Sequence, residues 1–107
     1  MPSRDYETIR RAILNKEQVL ATYDGYPREM CPHTLGRAKD GTEQALFYQF
    51  GGGSKSGLGP PGAPGNWRCI ALEKLGGVTT RKGDWHTAPN HSRPQTCVAQ
   101  IDLEVQL

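Results

Sequence analysis

No stretch of this sequence approaches the roughly 18 consecutive apolar residues that a membrane-crossing helix requires, and its mean hydropathy is -0.64. An integral helical membrane protein is excluded, and no membrane partner is expected. The amino-terminal MPSRDYETIRR is charged throughout and lacks the apolar centre of a secretion signal, so the expectation is a cytoplasmic protein. An excess of one charge is missing too. The chain sets 13 Lys and Arg against 11 Asp and Glu, a formal net charge of +2, too weak a field to grip duplex nucleic acid by itself. Any contact with nucleic acid has to be local. Cysteine is sparse: Cys31, Cys69 and Cys97 stand singly, with no CxxC. An odd count without a secretion signal predicts reduced, packing thiols.

Catalytic and metal signatures are absent as well. Only His86 and His91, on either side of Pro89, approach ligand spacing, and no metal or other cofactor is assigned. No serine or cysteine sits in a nucleophile elbow, and no carboxylates pair at a useful spacing. The GGGSKSG stretch lacks the Gly-Lys-Ser/Thr end of a nucleotide-hydrolysing loop. No catalytic residue is assigned, and the chain is read as non-enzymatic.

What is present is material for one core: residues 1–107 form a single domain. Ser3 and Asp5 are N-cap types, and Tyr6, Ile9, Ala12 and Ile13 share one helical face, which predicts a helix over about residues 5–16. From Gln18 the period changes to two. Val19, Ala21 and Tyr23 alternate with Gln18 and Thr22, and Asp24-Gly25 is the pair that a primed two-residue hairpin turn prefers. The returning strand, about Tyr26–Leu35, contains Pro32, which donates no ladder hydrogen bond and predicts an edge, a bend or a bulge that re-aims His33. Glu43–Phe50 is the most apolar strand and is expected at the sheet centre, with Leu46 and Tyr48 on one face and Phe47 and Gln49 on the other.

Gly51–Asn66, rich in glycine and proline, reads as a long flexible loop over residues 51–66. Trp67–Leu75 and Val78–Arg81 read as strands and 82–96 as irregular chain. Cys97–Val105 reads as a closing strand with Cys97, Ala99, Ile101, Leu103 and Val105 inward. The fold class is mainly β within α+β: one helix, then a small, strongly bent antiparallel barrel over about residues 18–105.

The residues that suit a ligand concentrate in REMCPHTLG, Arg28–Gly36. Arg28 and His33 both donate hydrogen bonds and suit anionic or planar polar ligands, and both fall on predicted strand rather than in a tail. In the loop, Ser54, Lys55 and Ser56 offer hydroxyls and an ammonium to an anion held by Arg28, His33 or Arg68. Tyr23, Tyr26, Tyr48 and Trp67 are aromatics near basic residues, the means by which single strands and loose nucleotides are stacked.

These stretches carry a resemblance. Tyr23, Arg28, Pro32 and Leu35 fall in the order Y…R…P…L, and Arg68-Cys69-Ile70-Ala71-Leu72-Glu73-Lys74-Leu75 is similar to an RxFxLDRI segment. Met30–Gly36, Tyr48–Gly57 and Trp67–Ile70 follow EPHTxG, YQxxGxSxSG and W(K/R)xF in order and spacing. The chain resembles the WYL domain, and most of all small stand-alone WYL-like bacterial proteins, over about Ile9–Leu75 and the last strand. Glu43-Gln44-Ala45 stands where the Trp-Tyr-Leu tripeptide would be, Ala71 replaces a basic residue, and no helix-turn-helix precedes the barrel.

The resemblance implies an SH3- or Sm-like barrel acting as a ligand-sensing, regulatory module. Its site would comprise Tyr23, Arg28, His33, Tyr48, Gln49, Ser54, Lys55, Ser56 and Arg68, and its partner a nucleotide or single-stranded nucleic acid. Two other readings stand beside this one: a small nuclease or phosphodiesterase using His33 with His86 or His91, and an interaction module, homo-oligomeric through a barrel edge.

Overall fold

The computed structural model describes residues 3–53, 67–85 and 98–105. Helix α1 (Arg4–Asn15) leads into strands β1 (Gln18–Tyr23), β2 (Tyr26–Arg37), β3 (Glu43–Gly52) and β4 (Trp67–Ala71). A single 3-10 turn (Leu72–Lys74) then precedes β5 (Gly76–Arg81) and β6 (Gln100–Glu104). The architecture is mainly antiparallel sheet with one helix packed on it. Among the described residues no helix is long and apolar enough to cross a membrane.

The helix begins where its cap chemistry says it should. Ser3 is the N-cap, and its hydroxyl accepts from the Tyr6 backbone N–H at 3.2 Å while donating to the Glu43 carboxylate at 2.6 Å. One side chain therefore starts α1 and ties it to β3. The predicted face of Tyr6, Ile9, Ala12 and Ile13 is buried, and Lys16, left-handed at φ 53°, closes the helix. Burying a side chain the size of Ile9 stabilises by about 1.5–3 kcal/mol, so α1 is held chiefly by packing.

The first hairpin also follows its sequence signal. Asp24 and Gly25 take φ 55° and 80°, and Tyr23 pairs with Tyr26 across them, as a turn with both central residues left-handed requires. The chain returns as β2, the spine of the sheet. On one side β2 pairs with β3 from Arg28 to Arg37; on the other it pairs first with β1, over Tyr26–Met30, and then with β6, over Thr34–Arg37. The strand order is β4-β3-β2-β1-β5, with β6 branching from β2. The central strand is thus β2 and not β3, because only β2 is long enough to be shared by three neighbours. Among the described residues the sheet does not close on itself.

Three further expectations are corrected. The strand expected over Trp67–Leu75 stops at Ala71, where the 3-10 turn drives Leu72 into the core. The last strand begins at Gln100 rather than Cys97, and Ile101, expected inward, is 53% exposed. The reason is a register shift between Leu35 and Gly36 that sets Ile101 opposite Gly36, which offers no side chain to pack against. Finally, the cysteines are not all reduced. Cys69 is disulfide-bonded on a residue exposed in β4, whereas Cys31 keeps a buried thiol.

Candidate functional site

Strand register sorts the candidate side chains before any contact is measured. Alternation along β2 puts Arg28, Met30 and Pro32 on one face and Glu29, Cys31 and His33 on the other. Across the ladder, Met30 opposes Gln49, Phe47 opposes Arg68 and Cys31 opposes Tyr48. Arg28, Gln49 and Arg68 therefore share the face of the main core, at its polar end. His33 and Tyr48 lie on the opposite face with Trp67. The structure does not bring Arg28 and His33 to one wall.

On the core face, two guanidiniums converge on one neutral oxygen. Arg28 Nη1 and Arg68 Nε each donate to Oε1 of Gln49 at 3.2 Å. Arg28 Nε donates to the Tyr23 carbonyl at 3.3 Å, and its Cζ lies 4.8 Å from the centre of the Tyr23 ring, a cation–π geometry. Arg68 Nη1 donates to the Trp67 carbonyl at 3.3 Å. Burial, and next the charge of Arg28, hold the Arg68 pKa below its ordinary range. Two like charges that reach the same oxygen repel one another.

Gln49 is fully buried, and all its hydrogen-bonding capacity is spent inside the protein. Its oxygen takes the two guanidiniums, and its Nε2 donates to the carbonyls of Gly51 and Gly53, both at 2.9 Å. The amide orientation is fixed by this network. Gln49 thus links the arginine pair to the start of the glycine-rich stretch. The glycines are needed where they stand. Gly52, at φ 80°, packs so closely on Pro27 and Arg28 that a Cβ would strike the Pro27 carbonyl.

The most telling residue is Arg28. It is 4% exposed, and no carboxylate pairs with it among the described residues, which include every Asp and Glu of the chain. Its hydrogen bonds come from Nε and Nη1, and none from Nη2. A buried cation ordinarily has a countercharge. Here the acceptors are a carbonyl and an amide.

The opposite face holds an aromatic box. The β2–β3 register shifts between Pro32 and Thr34, leaving His33 unopposed. Of the edge, bend or bulge that Pro32 left open, the shift is a bulge or irregularity, and the imidazole lies between two indoles. The ring of Trp67 stands edge-on at 4.6 Å and that of Trp85 lies tilted at 5.1 Å. His33 is fully buried, with Nδ1 2.9 Å from the Cys31 carbonyl. Tyr48, also buried, meets Trp67 at 5.1 Å. Trp85 Nε1 is buried without a hydrogen-bond partner. Sequence spacing gave no sign that Trp85 would cap His33, since it follows three residues of irregular chain.

Ser54, Lys55 and Ser56, and the histidines His86 and His91 of the nuclease reading, lie outside the described residues. Among the described residues no cluster of His, Cys, Asp or Glu is arranged to hold a metal ion. No family model, curated protein or solved structure matches the chain.

Proposed function

We propose that the chain is a non-enzymatic, ligand-sensing module of WYL type, in which the Arg28–Arg68 pair receives an anionic, nucleotide-like or single-stranded nucleic-acid ligand. The observation that carries this reading is the buried guanidinium of Arg28, which has no carboxylate partner and shares a neutral acceptor with a second guanidinium. An anion placed between the two would remove their repulsion and add charge-assisted hydrogen bonds, the stronger kind. Tyr23 supplies an aromatic wall. The SH3- or Sm-like form of the module is supported by the strand path β4-β3-β2-β1-β5, by the 3-10 turn that joins its two end strands, and by β2 passing from β1 to β6. A regulatory role fits a site that binds without catalytic groups. His33, packed between indoles with its Nδ1 on a carbonyl, serves this reading as the anchor of the aromatic face.

Fluorescence anisotropy with a labelled single-stranded oligonucleotide tests the proposal. The wild-type chain binds, and Arg28→Ala abolishes binding while still melting cooperatively. A variant whose melting point falls by tens of degrees would make Arg28 a structural group instead. Cleavage of the oligonucleotide in the presence of divalent metal would replace the binding module by a nuclease.

A further inference from the structure

We infer that the anion taken by Arg28 is a terminal phosphate monoester, the end group of a nucleotide or of a phosphorylated oligonucleotide, rather than a phosphodiester inside a strand. This rests on the anion-site reading above and narrows its ligand. Two features of the site select for an end group.

The first is access. Arg28 is 4% exposed, with the Tyr23 ring against its guanidinium, Gln49 bonded to Nη1, and the Gly52 backbone so close to its Cα that a Cβ would not fit. An internal phosphodiester must enter with a sugar on both sides. A monoester is tethered on one side only and presents three oxygens ahead of it.

The second is charge. Two guanidiniums meet at one point with only a neutral amide between them. A diester carries one negative charge, whereas a monoester at neutral pH carries about 1.5 to 2, so the monoester is held more strongly by Arg28, which has no carboxylate partner. Beside this end of the sheet, Tyr26 is 39% exposed, and its ring lies where a side chain on Gly53 would touch it. That exposed ring is placed to stack on the first base behind the phosphate.

The experiment uses one labelled octanucleotide in three forms, with a 5′-phosphate, with a 3′-phosphate and with neither, in anisotropy titrations at fixed ionic strength. Inorganic phosphate and a nucleoside 5′-monophosphate serve as competitors. The expected result is that one phosphorylated form binds about tenfold to a hundredfold more tightly than the bare strand, the worth of one further charge-assisted contact. Arg28→Gln removes the difference, as does Arg68→Gln, which keeps the test valid should the first variant fold poorly. Competition by the monophosphate at a lower concentration than inorganic phosphate assigns the ligand to nucleotides, and Tyr26→Ala then weakens the monophosphate alone. Equal affinity for all three strands, with each dependent on Arg28, overturns the terminal-phosphate inference and leaves the anion site standing. Binding that ignores both arginines, or no binding at all, overturns the two together.

Discussion

Arg28 and Arg68, brought from different strands, place one donor each at 3.2 Å from the same Gln49 oxygen. Like charges are not gathered at the polar end of a core for stability. Their convergence is what the proposed anion site rests on, and it makes Gln49 the residue on which the geometry depends.

Gln49→Leu keeps the approximate volume but deletes all four hydrogen bonds. The carbonyls of Gly51 and Gly53 lose their donor, and the two guanidiniums lose their shared acceptor. With buried polar groups left unsatisfied at about 1–3 kcal/mol each, urea denaturation is expected to show a loss of several kcal/mol at unchanged m-value. Gly52→Ala is expected to be destabilising by a different route, the strain of φ 80° and the blocked Pro27 carbonyl, and a drop in melting temperature would register it.

How much of this was legible beforehand varies from residue to residue. Helix α1 was, because a capping serine and a 3.6-residue period are local signals. The hairpin at Asp24-Gly25 was, because its turn type needs two left-handed residues. Pro32 marked the place where the β2–β3 register shifts, without telling a bulge from an edge or a bend. The division of the site was not legible, although it follows from counting: Arg28 and His33 are five apart on one strand and so face opposite ways. Gln49 stood among ligand groups in sequence because its partners come from β2, β4 and its own glycines, contacts that no local spacing encodes. Ile101 looked inward by alternation until its register set it against Gly36.

Tyr6 gives a pH test of how β6 is held. Its hydroxyl donates to Asp102 at 2.7 Å, and Arg10 lies 3.8 Å from the same carboxylate. Burial first, and then this hydrogen bond, raise the Tyr6 pKa from its ordinary 10.0 to about 12. The folded value lies above the unfolded one, so the contribution is complete below pH 10.0 and is lost as the pH climbs to about 12. Tyr6→Phe is expected to cost about 1 kcal/mol at pH 8. Its denaturation midpoint, compared with wild type, should show that deficit shrinking across the same window.

The cysteine state is open to direct counting. Cys69 is in a disulfide and Cys31 is not, so thiol titration in guanidinium without reductant should find one reactive group per chain, rising to three with reductant. Reduction is expected to lower stability by about 2–4 kcal/mol, read as a fall in melting temperature. Three reactive thiols before reduction would restore the expectation from composition.

The measurement that bears most directly on the central claim is thermal unfolding of wild type and Arg68→Gln across an inorganic phosphate series at constant ionic strength. An anion site empties its repulsion into the ligand, so phosphate at a hundred times its dissociation constant should stabilise wild type by about 2.7 kcal/mol, a rise of about 10 °C or more for a domain of this size. Arg68→Gln should lie within about 1 kcal/mol of wild type without phosphate, since the lost hydrogen bonds are offset by relief of the repulsion. It should also show no response to phosphate. A wild-type melting point indifferent to phosphate, together with a variant several kcal/mol less stable, would contradict the account and leave the two arginines as structural groups.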